Sequence, residues 1–206
     1  MKYIPDYFPF LTEKQLELFE KYIISFTKKN EIINLVSRKD IENLEINHIL
    51  YSLAISKITQ FKNGTSFLDV GTGGGLPGIP LAIMFPDCEF ILIDSIGKKA
   101  KATQEIIDEI GIKNASAKQV FSSELKEKFD FVLARGVTAF PAFVKMVSHC
   151  IKPKGINTLP NGILYLKGGE FQEEISEFKK IVNLYQIKDY FKEDFFETKK
   201  IIYLPF

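Results

Sequence analysis

Apolar residues recur at two spacings along this chain. Near the amino terminus the spacing is helical: Leu16, Phe19, Ile23 and Phe26 fall three or four residues apart, behind the capping-box pair Thr12 and Gln15. This predicts a first helix ending near residue 29. A second helical pattern, opened by Asp40, carries Leu44, His48, Ile49, Leu53 and Ile58 up to the break at Asn63-Gly64. Beyond the break the pattern changes to short apolar runs at 67–70, 90–93, 115–120, 129–134 and 163–166, with helical stretches between several of them. Such alternation predicts a parallel sheet covered by helices on both faces. The last runs, 181–190 and 200–204, are joined by a short stretch, which predicts an antiparallel hairpin at the sheet edge. The expected organisation is a helical extension over residues 1–62 and a seven-stranded, mostly parallel α/β domain over 63–206.

The first apolar run leads into Asp69-Val70-Gly71-Thr72-Gly73-Gly74-Gly75-Leu76-Pro77-Gly78. Strand, glycine turn and helix start follow one another here. Glycines open backbone angles closed to other residues and let a ligand approach the main chain. A second acid, Asp94, ends the next run, where a nucleoside cofactor's ribose hydroxyls want a carboxylate. The overlapping Gly73-x-Gly75-x-x-Gly78 also fits a dinucleotide fingerprint. However, an acid stands two residues before Gly71, and Pro77 and Pro80 remove N–H groups where a pyrophosphate would need them. The order of residues favours S-adenosylmethionine over NAD.

Composition adds bounds. The 206 residues suffice for one α/β core and a small appendage, and 46% hydrophobic with 26% charged residues is ordinary for a globular chain. A net charge of +1 leaves any nucleic-acid contact to local patches. The start MKYIPDYFPFL lacks the basic and apolar regions of a signal peptide, and no run is long enough to span a bilayer, so the expected location is the cytoplasm. Cys88 and Cys150 have no metal-ligand spacing; both read as ordinary semi-buried thiols, and no metal is expected.

Several segments carry a resemblance. They are Asn34-Leu35-Val36-Ser37 with His48-Ile49-Leu50-Tyr51-Ser52, the glycine loop with its Leu-Pro-Gly-Ile-Pro continuation, Ile93-Asp94-Ser95-Ile96-Gly97-Lys98, Leu133-Ala134-Arg135-Gly136, and Leu166-Lys167-Gly168 followed by Glu173-Glu174-Ile175. In this order, over residues 34–175, the chain resembles the RsmG (GidB) family, bacterial 16S ribosomal RNA guanine-N7 methyltransferases. The resemblance implies a Rossmann-like class I methyltransferase fold, S-adenosylmethionine as methyl donor, and 16S rRNA or the small ribosomal subunit as partner, acting as a monomer. By position it implies that Gly71, Gly73 and Leu76 line the donor, that Asp94 meets the ribose, and that Arg135 stands at the end of the fourth strand. Ser122 and Ser123 would take the adenine side, where the family's arginine-x-acid is absent. Tyr51 replaces the family's usual aspartate, and Gly136-Val137 its usual alanine and aromatic.

The chemistry agrees with that target. No Asn/Asp-Pro-Pro-aromatic cluster for an exocyclic amine follows the fourth strand, and neither cysteine has a visible activating context for covalent attack on a pyrimidine. Guanine N7 presents its own lone pair and needs alignment more than a base. Lys167, Lys98 and Lys99 are candidate RNA contacts, with Lys101 beside them and Lys28, Lys29, Arg38 and Lys39 between the N-terminal helices; for each the competing reading is a solvated surface cation. His48, on an apolar stripe, reads as a core residue, and Phe195 and Phe196 read first as core. The loop 154–162 is expected beside the active face, shaping RNA access, or else as an inert connection. The alternatives are a small-molecule methyltransferase on the same scaffold, an NAD-dependent oxidoreductase, and a ribosome-binding protein with a relic pocket.

Overall fold

The computed structural model describes the backbone of all 206 residues and every side chain except those of Arg38 and Lys39. That part of the N-terminal basic cluster therefore lies outside the described residues.

Helix α1 (Tyr3–Tyr7) is followed by α2 (Glu13–Ile33), whose start is the expected capping box: the Thr12 hydroxyl accepts from the Gln15 N–H while the Gln15 side chain accepts from the Thr12 N–H. It runs four residues past the predicted end, because the stop is Asn34 in the left-handed region at φ +52°. The second helical pattern is not one helix. Helix α3 (Arg38–Ile41) is capped by Ser37 rather than opened by Asp40, and a π-turn over Glu45–Leu50 then leads into α4 (Tyr51–Leu53) and a 3-10 turn at Ala54–Lys57. The π-turn satisfies the same apolar spacing with a wider coil, a difference hydropathy does not register.

The strands are β1 (Ser66–Val70), β2 (Glu89–Asp94), β3 (Ala115–Gln119), β4 (Phe131–Arg135), β5 (Gly162–Gly168), β6 (Asn183–Gln186) and β7 (Lys199–Pro205). Their order is β3-β2-β1-β4-β5-β7-β6. The sheet is parallel through β5 and antiparallel at β7 and β6, the parallel body and closing hairpin that the sequence predicts. Strand β6 is shorter than its apolar run because the chain turns into a 3-10 coil at Ile187–Asp189. The connecting helices are α5 (Gly78–Met84), α6 (Gly97–Ile110) and α7 (Phe140–Val147).

Strand alternation sorts the core into two layers. Phe67, Phe90, Phe131 and Leu133 face α2, α5, α6 and the N-terminal segment, while Leu68, Val70, Val132 and Ala134 face α7. Phe67 and Phe90, paired in register across β1 and β2, stack at 4.6 Å, and Phe61 meets Phe67 edge-on at 4.9 Å. Each such pair adds about 1 kcal/mol beyond the burial of its rings. Phe19, Phe26 and Leu50 from the first 62 residues belong to the same continuous core as Phe67 and Leu92.

The loop 154–162 lies away from its expected place. The Asn157 side-chain oxygen accepts from the Lys62 N–H at 2.8 Å and the Thr65 hydroxyl at 3.1 Å, just before β1 begins. A connection leading from a covering helix into a parallel strand arrives at the strand's amino end, opposite the edge where ligands bind. The loop therefore cannot shape access at the carboxyl edge.

Candidate active site

At the carboxyl edge, the glycine loop between β1 and α5 is tied down from four elements. The buried Asp69 carboxylate, on β1, accepts through Oδ2 from the Thr72 hydroxyl at 2.6 Å and from the Gly78 N–H at 2.9 Å, joining the loop's two ends. Asp94, at the end of β2, accepts from the Gly73 N–H and from the Ile96 N–H, both at 2.9 Å. Thr103 of α6 donates to the Gly73 carbonyl at 2.7 Å, and Tyr22 of α2 donates to the Gly74 carbonyl at 3.0 Å. Each Asp94 oxygen keeps a free lone pair for a ligand hydroxyl.

Two features mark this loop as a ligand cradle. Gly71 has φ +69°, and a Cβ there would lie 2.8 Å from Val137 Cγ2, so the glycine leaves the space between loop and Val137 open. The second is Asp69 Oδ1, a buried carboxylate oxygen with no hydrogen-bond partner among the described residues. Burial is the main reason the Asp69 carboxyl is raised to about 6, with its hydrogen bonds to Thr72 and Gly78 working in the opposite direction. An unsatisfied buried acceptor costs stability unless an incoming donor uses it.

A cleft of about 140 Å³ follows, lined by Gly71, Asp94, Ser122, Phe121 and Val137 among others. Thus three of the expected donor residues come together. Ser122 is buried, its carbonyl accepting from His149 Nε2 at 3.1 Å, whereas Ser123 is exposed on the 3-10 turn. Leu76 points into the apolar core at 3% exposure rather than into the cleft, and Gly73 offers no free N–H because Asp94 holds it. Phe121, 57% exposed at the cleft, is not among the residues that sequence reasoning picks out. An apolar residue following a strand gives no sign of whether it points inward or out.

Val137 also lines a second pocket of about 440 Å³, shared with Tyr51, Arg135, Tyr165, Lys167 and Lys199. Arg135 therefore belongs to this neighbouring pocket. Its guanidinium nitrogen stands 2.8 Å from His48 Nδ1, which the π-turn carries in from the N-terminal segment. Burial first, and then the Arg135 charge, pull the His48 imidazole down to about 4, so neutral Nδ1 accepts from the guanidinium. His48 is thus a core residue, as expected, but one with a polar task. Lys167 is engaged by Glu174 at 2.5 Å, and this bond is the largest reason that the Glu174 carboxyl sits below the usual range. The Tyr165 hydroxyl accepts from the Val137 and Thr138 N–H groups at 3.1 and 3.2 Å and donates to the Thr138 carbonyl, fixing the segment after β4.

The remaining candidates lie elsewhere. Lys98 lines a shallow depression with Gln104 and Gln119, and Lys99 is half-buried beside it on α6. Lys29 pairs with Glu105 and Glu109 of α6, so it is a structural cation. A cavity of about 630 Å³ lies between the start of α2 and the amino ends of β2 and β3, lined by Gln15, Ala82, Pro86 and Asn114 among others. It is the larger hollow, but it holds none of the loop's groups and sits at the wrong edge for this fold's chemistry.

The Cys150 Sγ lies 3.3 Å from Nε2 of its chain neighbour His149. Yet Cys150 is fully buried, and burial raises its thiol, which keeps it protonated and unreactive. Cys150→Ala is expected to leave the methyl-transfer rate within about twofold while lowering stability by roughly 1–2 kcal/mol. A rate assay in which the variant is dead but still folded would restore a covalent mechanism.

The chain is also similar to known proteins. The sequence profile described as rRNA small subunit methyltransferase G (GidB) matches residues 15–202. The ribosomal RNA small subunit methyltransferase G of Flavobacterium johnsoniae is 48% identical over 205 residues, covering 100% of this chain and 98% of the relative. That of Parabacteroides distasonis is 48% identical over 202 residues, covering 98% and 88%. Among solved structures, a SAM-dependent methyltransferase from Aquifex aeolicus superposes with a TM-score of 0.56 at 16% identity, over 82% of this chain and 98% of that one, which shows a shared fold. With its loop, strand order and full-length likeness agreeing, the chain belongs to the rRNA small subunit methyltransferase G family and is a methyltransferase.

Proposed function

We propose that this enzyme moves the methyl group of S-adenosylmethionine to N7 of a guanine in 16S ribosomal RNA, acting as a cytoplasmic monomer. The observation that carries the reading is the meeting of two pockets at Val137: one walled by the glycine loop and Asp94, the other by Arg135 and Tyr165. A donor held in the first can reach a base held in the second.

Asp94 would accept from the ribose hydroxyls, the Asp69 Oδ1 lone pair suits the donor's ammonium, and Phe121 with Ser122 would hold the adenine. When bound, the donor supplies an electrophilic methyl on sulfur, which a ring nitrogen attacks in line. Arg135 presents its free N–H groups to the base's acceptor edge, held in aim by His48. No residue need take a proton, since N7 carries an available lone pair. The walls exclude water and fix the approach. Among the described residues no group of three His, Cys, Asp or Glu could hold a metal ion, and the reaction calls for none.

One contact speaks against a dinucleotide. The Gly78 N–H at the start of α5, which would face a pyrophosphate, is already taken by Asp69. An anion there would meet a carboxylate.

Calorimetric titration with S-adenosylmethionine and with NAD, followed by methyl transfer to small-subunit particles and base-specific cleavage at N7-methylguanine, tests the reading. Donor binding with cleavage at one guanine is expected. Binding of NAD alone, or methyl transfer to a small molecule with RNA untouched, would refute it.

A further inference from the structure

Resting on the reading above, we infer that Lys199 binds a phosphodiester of the target RNA strand at the rim of the Arg135 pocket. None of the sequence-derived candidates includes it, and Lys167, which they do include, is the weaker choice.

The second pocket contains two lysines and one arginine, and two of these three cations are engaged. The Lys167 ammonium lies against the Glu174 carboxylate at 2.5 Å, and Arg135 donates to His48 at 2.8 Å. Lys199 has no carboxylate partner among the described residues. It is nevertheless held in place. It opens β7 directly across from Gly168 of β5, and a Cβ on Gly168 would lie 2.7 Å from both Cδ and Nζ of the lysine. The side chain therefore lies over the bare backbone of that glycine. Its ammonium sits 4.7 Å from the centre of the Phe195 ring, which in turn packs edge-on against the pocket wall Tyr51 at 5.8 Å.

A half-buried ammonium over an aromatic ring, with no counter-charge and open to a pocket, is a site for an anion. The chemistry of the reaction says which anion. A base turned out of its stack into a pocket brings its own backbone phosphates to the pocket's rim. Arg135 serves the base edge, and Lys199 serves the strand. A point charge with three rotatable donors suits a phosphate whose oxygens can present themselves in several ways.

The test compares the wild type with Lys199→Gln and Lys167→Gln, using small-subunit particles across a range of salt. Lys199→Gln should raise the KM for RNA about tenfold, leave kcat and S-adenosylmethionine affinity near wild type, and make the slope of log affinity against log salt shallower by about 1. Lys167→Gln should leave that slope unchanged. Lys199→Arg should restore it, and Gly168→Ala, which displaces the ammonium, should reproduce part of the loss. A Lys199→Gln variant with the wild-type salt slope overturns the assignment. If the wild type itself transfers no methyl to RNA while binding the donor, the functional reading fails and this assignment with it.

Discussion

Gly71→Arg should reduce S-adenosylmethionine affinity by at least about a hundredfold, the equivalent of roughly 3 kcal/mol. Two costs add. The position has φ +69°, where a side chain loses about 1–2 kcal/mol against glycine, and the new Cβ would meet Val137 Cγ2 at 2.8 Å. The rest of the arginine must then lie in a cleft of only about 140 Å³, the space assigned to the donor. Gly71→Ala isolates the first part of the effect and should retain measurable binding. Calorimetry reads the affinities, and a urea midpoint near wild type shows that the fold survives. Undiminished affinity in the arginine variant would move the donor to another place in the molecule.

Asp69→Asn is expected to show the second large effect, on the dependence of stability on pH. Burial raises the folded-state carboxyl from an ordinary 3.8 to about 6, so the native state holds this proton more tightly than the unfolded chain does. The resulting stabilisation is complete below the unfolded value and disappears as pH rises through about 6. Since each tenfold difference in proton affinity is worth about 1.4 kcal/mol, the wild type should lose roughly 2–2.5 kcal/mol between about pH 4 and pH 7.5 that the non-titrating variant keeps. Urea denaturation of both proteins at those two pH values gives the comparison. Parallel curves would show that Asp69 is not held against its charge. The same substitution should weaken donor binding about tenfold or more, because a charged acceptor for an ammonium is gone. A buried carboxylate that lowers stability at working pH is a candidate for a role other than holding the fold.

What is readable from the chain is local or periodic. Thr12 and Gln15 are three residues apart and cap α2 as their spacing says. Strand runs separated by helical stretches give the mostly parallel sheet and its closing hairpin, though not the order of its strands, and the glycine loop with Asp94 marks the edge that matters. What is not readable depends on distance in sequence or on direction in space. Arg135 and His48 are 87 positions apart, and only the π-turn brings them together. Lys167 and Lys199 look alike as letters, but Glu174 neutralises the first and Phe195 carries the second. Leu76 and Phe121 are both apolar; one is packed in the core and the other faces the cleft, a choice settled by which way each turn points. The misplaced loop at 154–162 is a different matter, since the polarity of a parallel strand already says which edge a preceding connection reaches.

The hydrogen bond from Tyr22 to the Gly74 carbonyl spans 52 residues, and Phe26 lies where a Gly74 side chain would otherwise be. Helix α2 precedes the glycine loop in the chain, so it leaves the ribosome before the loop it braces. It must wait, with an exposed apolar face, until the first strand and its turn have been made. Contacts of such long range form late and slowly. The shape of the glycine loop therefore depends on the docking of α2, so a change that loosens that helix is expected to reach the loop as well.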